Sequence, residues 1–276
     1  MSDYQLIAFD MDGTLLNGQK EISPACIHWI HQAALAGKTV ILNTGRCPAE
    51  LEEYFSLLPD LTYVNCVSGA LVYNHATKET IYSRTLPVDI VKKLLSIASK
   101  EDVMLHLLSA QSVVQKDVIP RMKDYHMEIY RDMFARVTSP VDDLPTSYLA
   151  APYPVPKLNL YHRDPEARLR TRKRILDLGL DVELADAETT SLEISARGIH
   201  KGIGLSRLCE YLHIPLSQTI VVGDADNDAA ALQAAGLPVA MANAKDRIKA
   251  LADVITMQDN DLPLIHISEP TRLQLI

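Results

Sequence analysis

Positive charge is in short supply in this chain: 27 Lys and Arg stand against 35 Asp and Glu, a formal charge of −8. A protein that works on a nucleic-acid backbone needs a basic face, so no nucleic-acid partner is expected. The one basic cluster, Arg163 to Arg174, is local, falls on a predicted helix and reads as a solvated helix face. Cysteine is sparse as well. Cys26, Cys47, Cys66 and Cys209 show no CxxC spacing, which removes the usual thiol metal site, and Cys47 reads as a small buried hydrophobe. No apolar run reaches the ~18 residues of a membrane span, and MSDYQL is not a charged segment leading into an apolar one. A cytoplasmic protein with no membrane partner is the expectation. Internal repeats and low-complexity segments are missing too.

What the chain does have is ordinary globular composition, 47% hydrophobic and 22% charged over 276 residues, which suits one large or two modest domains. Leu6 to Phe9 reads as a buried strand, and Ile22-Ser23-Pro24 supplies a staple, an N-cap and a helix-opening proline for a helix ending near Gly37. Thr39 to Leu42, a helix over Pro48 to Leu57 and the strand Tyr63 to Val67 continue a βαβ rhythm. Leu71 to Tyr73 and Ile81 to Tyr82 form a predicted hairpin. From about Arg84 the pattern changes to helices (Pro87 to Lys100, Pro165 to Leu178) mixed with antiparallel-looking strands (Val103 to Leu108, Val113 to Gln115, Lys157 to Tyr161, Asp181 to Ala185), with Pro140 to Pro156 as a loop. The parallel rhythm is expected to resume at Leu192 and to run through Thr219 to Val222 and Val239 to Met241 to Val254. The expected fold is therefore α/β, a doubly wound Rossmann-like parallel sheet core (residues 1–83 and 192–276) interrupted by an inserted α+β cap domain (84–191). A module joined by two strands to the core is placed to act as a lid.

The polar residues gather where strands end. Asp10 and Asp12 follow the first strand, and residues two apart on a strand point the same way, so both carboxylates can face one volume as the chain turns at Gly13. Read alone, DxDG is either such a site or a strand-ending turn in which aspartates cap backbone N–H groups. Thr44-Gly45-Arg46 ends the second strand, where Thr44 is either a phosphate contact or the start of an ST-turn. Lys201 opens a helix, where the dipole disfavours a cation unless an anion is near. Gly223-Asp224-Ala225-Asp226-Asn227-Asp228 follows a β-branched strand and lacks the distal glutamate of an EF-hand loop. His28 and His31, three apart on the first helix, are expected to face solvent or the cap rather than to form a metal pair.

Taken together, DMDGTL, TGR, Lys201 and GDADND resemble the four motifs of the haloacid dehalogenase superfamily of phosphohydrolases, and the large insert is similar to the C2-type cap of its Cof-type (IIB) branch. The resemblance runs from Gln5 to about Thr256. It implies an aspartyl-phosphate intermediate on the nucleophile Asp10, with Asp12 as general acid and base. It implies phosphate binding by Met11, Thr44, Gly45, Lys201 and Asn227, Mg²⁺ held by Asp10, Asp12 (through its backbone carbonyl) and Asp224, and Asp228 orienting Lys201 or metal-bound water. Arg46 is expected to brace its loop or form an ion pair, and Asp226 to face solvent.

Three departures stand out. His200 occupies a position where relatives carry Ser or Asn, Ser68 replaces the asparagine of Asn-Gly-Ala, and after Asn260-Asp261 the chain leaves the family pattern for LPLIHISEPTRLQLI. The implied function is a Mg²⁺-dependent phosphatase of small phosphorylated metabolites such as sugar phosphates or pyridoxal phosphate, acting as a monomer or weak homodimer. The alternatives are a sugar phosphomutase and a non-catalytic phosphate-ligand sensor. His106, Asn159 and Arg84 are candidate cap contacts to substrate.

Overall fold

The computed structural model describes residues 4–186, 190–257 and 260. In chain order its strands are Leu6–Phe9 (β1), Thr39–Asn43 (β2), Tyr63–Cys66 (β3), Leu71–Asn74 (β4), Glu79–Ser83 (β5), Val103–Leu108 (β6), Ser112–Gln115 (β7), Thr138–Val141 (β8), Lys157–His162 (β9), Val182–Ala185 (β10), Ser191–Ala196 (β11), Thr219–Gly223 (β12), Leu237–Ala240 (β13) and Val254–Ile255 (β14). They build an eight-stranded sheet in the order β14-β13-β12-β1-β2-β3-β4-β5 and a six-stranded sheet in the order β10-β11-β9-β6-β7-β8.

The first sheet is parallel from β14 through β3 and turns antiparallel at β4. β1 and β12 are buried throughout, as the near-continuous apolar runs of inner parallel strands require. Each fully buried Leu or Ile in such a strand stabilises the fold by roughly 1.5–3 kcal/mol. The helix Pro24–Leu35 begins as its sequence dictates, with Ser23 Oγ accepting from the Cys26 N–H at 3.2 Å and proline in the first turn. Because neighbouring parallel strands run in register, Phe9 lies beside both Val222 and Leu42, so the segments after β1, β2 and β12 leave the sheet at one carboxyl edge.

The second sheet is largely antiparallel and belongs to a separate compact unit, Ser83–Ile199 together with Arg46–Leu51. One of its faces is apolar: Leu105, Leu107, Leu158, Leu160, Leu192 and Ile194 form a core with the helices Val88–Ala98, Leu144–Ala150 and Pro165–Asp177.

Three expectations from the sequence change here. The segment around Leu192 does not resume the parallel sheet; β11 pairs antiparallel with β9 and β10. Its sequence alternates Leu192 and Ile194 with Glu193 and Ser195, the period of a strand with one apolar face, and that alternation is the signal the reading passed over. The short stretch Arg46–Leu51 is held in the second unit because the Ala49 N–H donates to the Ala110 carbonyl and Glu50 accepts from Ser112. Pro140 to Pro156 is not one loop: it ends a strand and contains the helix Leu144–Ala150, which Asp143 caps through the Thr146 N–H. Two more elements, the 3₁₀ run Lys116–Tyr125 and the helix Arg131–Val137, lay unread. The segment from Asp261 onward lies outside the described residues.

Candidate active site

Asp10 leaves β1 with its N–H still donating to the Val222 carbonyl at 2.9 Å, so the β1/β12 ladder sets its backbone. Its carboxylate is buried and accepts from the Lys201 ammonium at 2.5 Å. Lys201, fully buried at the first turn of the helix Lys201–Leu212, also donates to Asp228 at 2.7 Å. The second oxygen of Asp228 accepts the N–H groups of Asp224 and Ala225, each at 3.1 Å, which closes the loop after β12 onto itself. Thr14 Oγ1 donates to Asp224 at 2.9 Å. Carboxylate oxygens of Asp10, Asp224 and Asp228 all fall within 4.8 Å of one another. Gly13 makes that approach feasible: its φ is +90°, and a Cβ there would meet Asp224 Oδ2 at 2.4 Å.

Three carboxylates around one ammonium leave an excess of negative charge in a buried place. Burial, then the Asp228 charge, pushes the Asp10 carboxyl well above the usual carboxylate range against the opposing pull of Lys201. Asp224 moves the same way for the same two leading reasons. Burial alone would lower the Lys201 ammonium, but Asp10 and Asp228 outweigh it and hold it above its ordinary value. These carboxylates also answer the unfavourable helix dipole at Lys201. The set offers oxygen ligands only, the preference of a hard divalent cation.

The haloacid dehalogenase-like hydrolase family matches residues 7–266. This chain belongs to that family. Within it the Cof-type phosphatases are the relatives: the chain is 30% identical over 270 residues to 5-amino-6-(5-phospho-D-ribitylamino)uracil phosphatase YitU of Bacillus subtilis, covering 93% of each protein. It is 26% identical to pyridoxal phosphate phosphatase YbhA of Escherichia coli over 260 residues, 91% of this chain and 92% of that one. A solved haloacid dehalogenase-like hydrolase from B. subtilis superimposes with a TM-score of 0.82 at 25% identity, covering 96% of this chain and 98% of that chain. The chain is thus a phosphoric monoester hydrolase of the haloacid dehalogenase type, with the expected Rossmann-like fold.

Other family-motif residues take separate positions. The Asp12 side chain is not in the carboxylate cluster; it is half-buried and pairs with Lys20 at 2.9 Å. Met11 is buried, and its carbonyl accepts from the Thr14, Leu15 and Leu16 N–H groups, forming the turn after β1. Thr44 is buried at the end of β2; its N–H donates to the Asn65 carbonyl and its carbonyl accepts from Ser68, with Gly45 next along the chain. Asn227 Oδ1 is buried without a hydrogen-bond partner. Asp226 is not simply solvent-facing, being engaged by Lys245 at 3.1 Å and by Arg247. Arg46 lies in the other unit, its guanidinium donating to Met133 Sδ at 3.4 Å and resting over the Tyr130 ring at 5.8 Å. His31 pairs with Asp60 at 2.7 Å. His200 replaces Ser or Asn without loss of function as a cap: its Nδ1 accepts from the Ile203 N–H at 3.3 Å.

Several residues that shape the site went unread. Asn65 Nδ2 donates both to Asn43 Oδ1 at 2.6 Å and to the Lys201 carbonyl at 2.7 Å, tying the ends of β2 and β3 to the lysine helix. A Cβ on Gly204 would stand 1.9 Å from Asn65 Oδ1, so that helix can approach only as glycine. Val67 and Ser68 sit at φ +52° and +57°, strained for a β-branched residue, in the loop that bonds Thr44. Asn243 donates to the Gly13 carbonyl at 2.8 Å. An asparagine inside an apolar strand, as Asn65 is, was the available signal.

Proposed function

We propose that the chain is a Mg²⁺-dependent phosphatase of small phosphorylated metabolites that works through an aspartyl-phosphate on Asp10. What carries the reading is the meeting of Asp10, Lys201, Asp224 and Asp228, brought from separate strand ends to within hydrogen-bonding and ion-sharing distance. In the first half-reaction an Asp10 oxygen bonds to phosphorus as the ester P–O bond breaks, and Asp12 gives its proton to the departing alkoxide. In the second, water attacks phosphorus, the bond to Asp10 breaks, Asp12 takes the water's proton, and inorganic phosphate leaves. Lys201 fixes the attacking carboxylate and counters phosphoryl charge, and Asp228 holds Lys201 in that position. Thr44, the Gly45 and Met11 backbone and Asn227 are assigned the remaining phosphoryl oxygens.

The oxygen-only donors and the unpartnered Asn227 Oδ1 fit a hydrated Mg²⁺ held by Asp10, the Asp12 carbonyl and Asp224. When bound, the ion supplies charge neutralisation that lets an anionic ester enter an acidic site. The relatives act, by name, on a ribitylaminouracil phosphate and on pyridoxal phosphate, so a metabolite of that size is the proposed substrate. The same relatives favour hydrolysis over the mutase alternative, in which sugar rather than water receives the phosphoryl group. The test is phosphate release from a panel of phosphorylated metabolites with Mg²⁺, run beside Asp10→Asn. Loss of turnover by about 10⁴-fold or more with an unchanged fold is expected. Near wild-type turnover in the variant would remove Asp10 as nucleophile.

A further inference from the structure

Two buried asparagines stand where inner strands are otherwise apolar. Asn43 ends β2, and Asn65 lies beside it on the parallel neighbour β3, neither with any exposed surface. Asn65 Nδ2 donates to Asn43 Oδ1 at 2.6 Å and to the Lys201 carbonyl at 2.7 Å. That carbonyl fixes the orientation of the Asn65 amide, since the reverse one would set oxygen against oxygen. The remaining atoms of the pair, Asn43 Nδ2 and Asn65 Oδ1, are buried without a partner.

As a stabilising device the pair is poor. Buried amides with orphaned groups cost free energy, and β-branched residues suit both positions better. The Lys201 carbonyl does not need the amide either. Lys201 is the first residue of its helix, and the carbonyls a helix leaves unmet are those of its last turn. Core polar groups held against stability are expected where they serve a site.

The pair joins two groups of that site. The Asn65 carbonyl accepts the Thr44 N–H at 2.8 Å and the Asn65 side chain holds the Lys201 backbone, so one residue links the end of β2 to the lysine helix. Packing around the link leaves no slack. A Cβ on Gly69, whose φ is +93°, would collide with the His200 carbonyl, and one on Gly204 would come within 2.8 Å of Gly69 Cα. We infer that Asn65, oriented by Asn43, is a positioning residue that holds Lys201 at a set distance from Thr44 and thereby aims its ammonium at Asp10. The role rests on the phosphatase reading and extends it: a neutral amide pair aligns two of the groups assigned to the phosphoryl oxygens before substrate arrives.

Two variants separate alignment from stability. Asn65→Val leaves the Asn43 amide buried with no partner, so the melting temperature and the kcat for p-nitrophenyl phosphate with Mg²⁺ should both fall. Adding Asn43→Val removes the stranded amide and should restore the melting temperature to the wild-type value or above. In that double variant kcat should stay about 10-fold low, one hydrogen bond's worth of alignment, with a smaller change in KM. Recovery of kcat together with stability would overturn the positioning role. Should the double variant fail to fold, the Asn43→Ala, Asn65→Ala pair is read the same way. Hydrogen exchange supplies a readout independent of turnover: the amides from Ile203 to Leu205, at the start of the lysine helix, should exchange about 10-fold faster in the double variant at unchanged melting temperature. If the wild type releases no phosphate from any ester, the catalytic reading fails, while exchange still decides whether Asn65 holds Lys201: faster exchange supports the hold and an unchanged rate overturns it.

Discussion

Each unit of this protein buries one lysine completely, and the two are solved differently. Lys157 in the inserted unit meets Glu193, one charge against one, and the pair sits in the six-stranded sheet as part of its framework. Lys201 in the catalytic unit meets Asp10 and Asp228 with Asp224 beside them, one charge against three. A buried pair of opposite charges leaves no net charge behind. An unbalanced cluster carries a standing electrostatic cost that additional positive charge, from a proton or a cation, relieves.

The contrast can be broken most directly at Lys157. Lys157→Met should destabilise the protein by about 3–5 kcal/mol, because the buried Glu193 loses the ammonium that donates to it, whereas the Lys157→Met, Glu193→Leu double variant should recover most of that loss. Chemical denaturation of the three proteins checks it, and a double variant as weak as the single one would show that the pair is not self-contained. In the same unit, acid should expose the neutral His106. Its folded pKa, near 4, lies below the ordinary 6.5, so its contribution is fully present above pH 6.5 and is lost as pH falls toward 4, where the unfolded chain takes up a proton first. The wild type should lose about 3 kcal/mol more than His106→Leu over that window, read from denaturation midpoints at each pH. The smallest effect belongs to the catalytic unit. Mg²⁺ at 100-fold excess over its dissociation constant should stabilise the fold by about 2.7 kcal/mol. Asp224→Ala should abolish that increment, and Lys157→Met should retain it, as thermal unfolding with and without EDTA would record.

The four motif segments were legible because each follows a β-branched or apolar run, and parallel strands deliver their polar ends to one edge. β1, β2, β12 and the helices at Pro24 and Lys201 stand where the pattern places them. Legibility fell in the inserted unit. There β11 was assigned to the wrong sheet, since a short strand's partner is chosen by packing of its apolar face and not by its propensity. The helix Leu144–Ala150 hid behind prolines that in fact open it. Asn65 and Gly204 could not be paired from sequence, being joined only by the approach of the lysine helix to β3.

By itself, the sequence determined the family and the class of chemistry, because motif spacing along strand ends is a local property. Tertiary structure alone decided that Asp228 shares Lys201 with Asp10 while the Asp12 side chain turns to Lys20. It also buried His106 Nδ1 and Asn159 Oδ1 of the inserted unit with no hydrogen-bond partner. The reason is physical: side-chain partners across 27 or 191 residues are set by strand register and helix packing, which depend on the whole core at once.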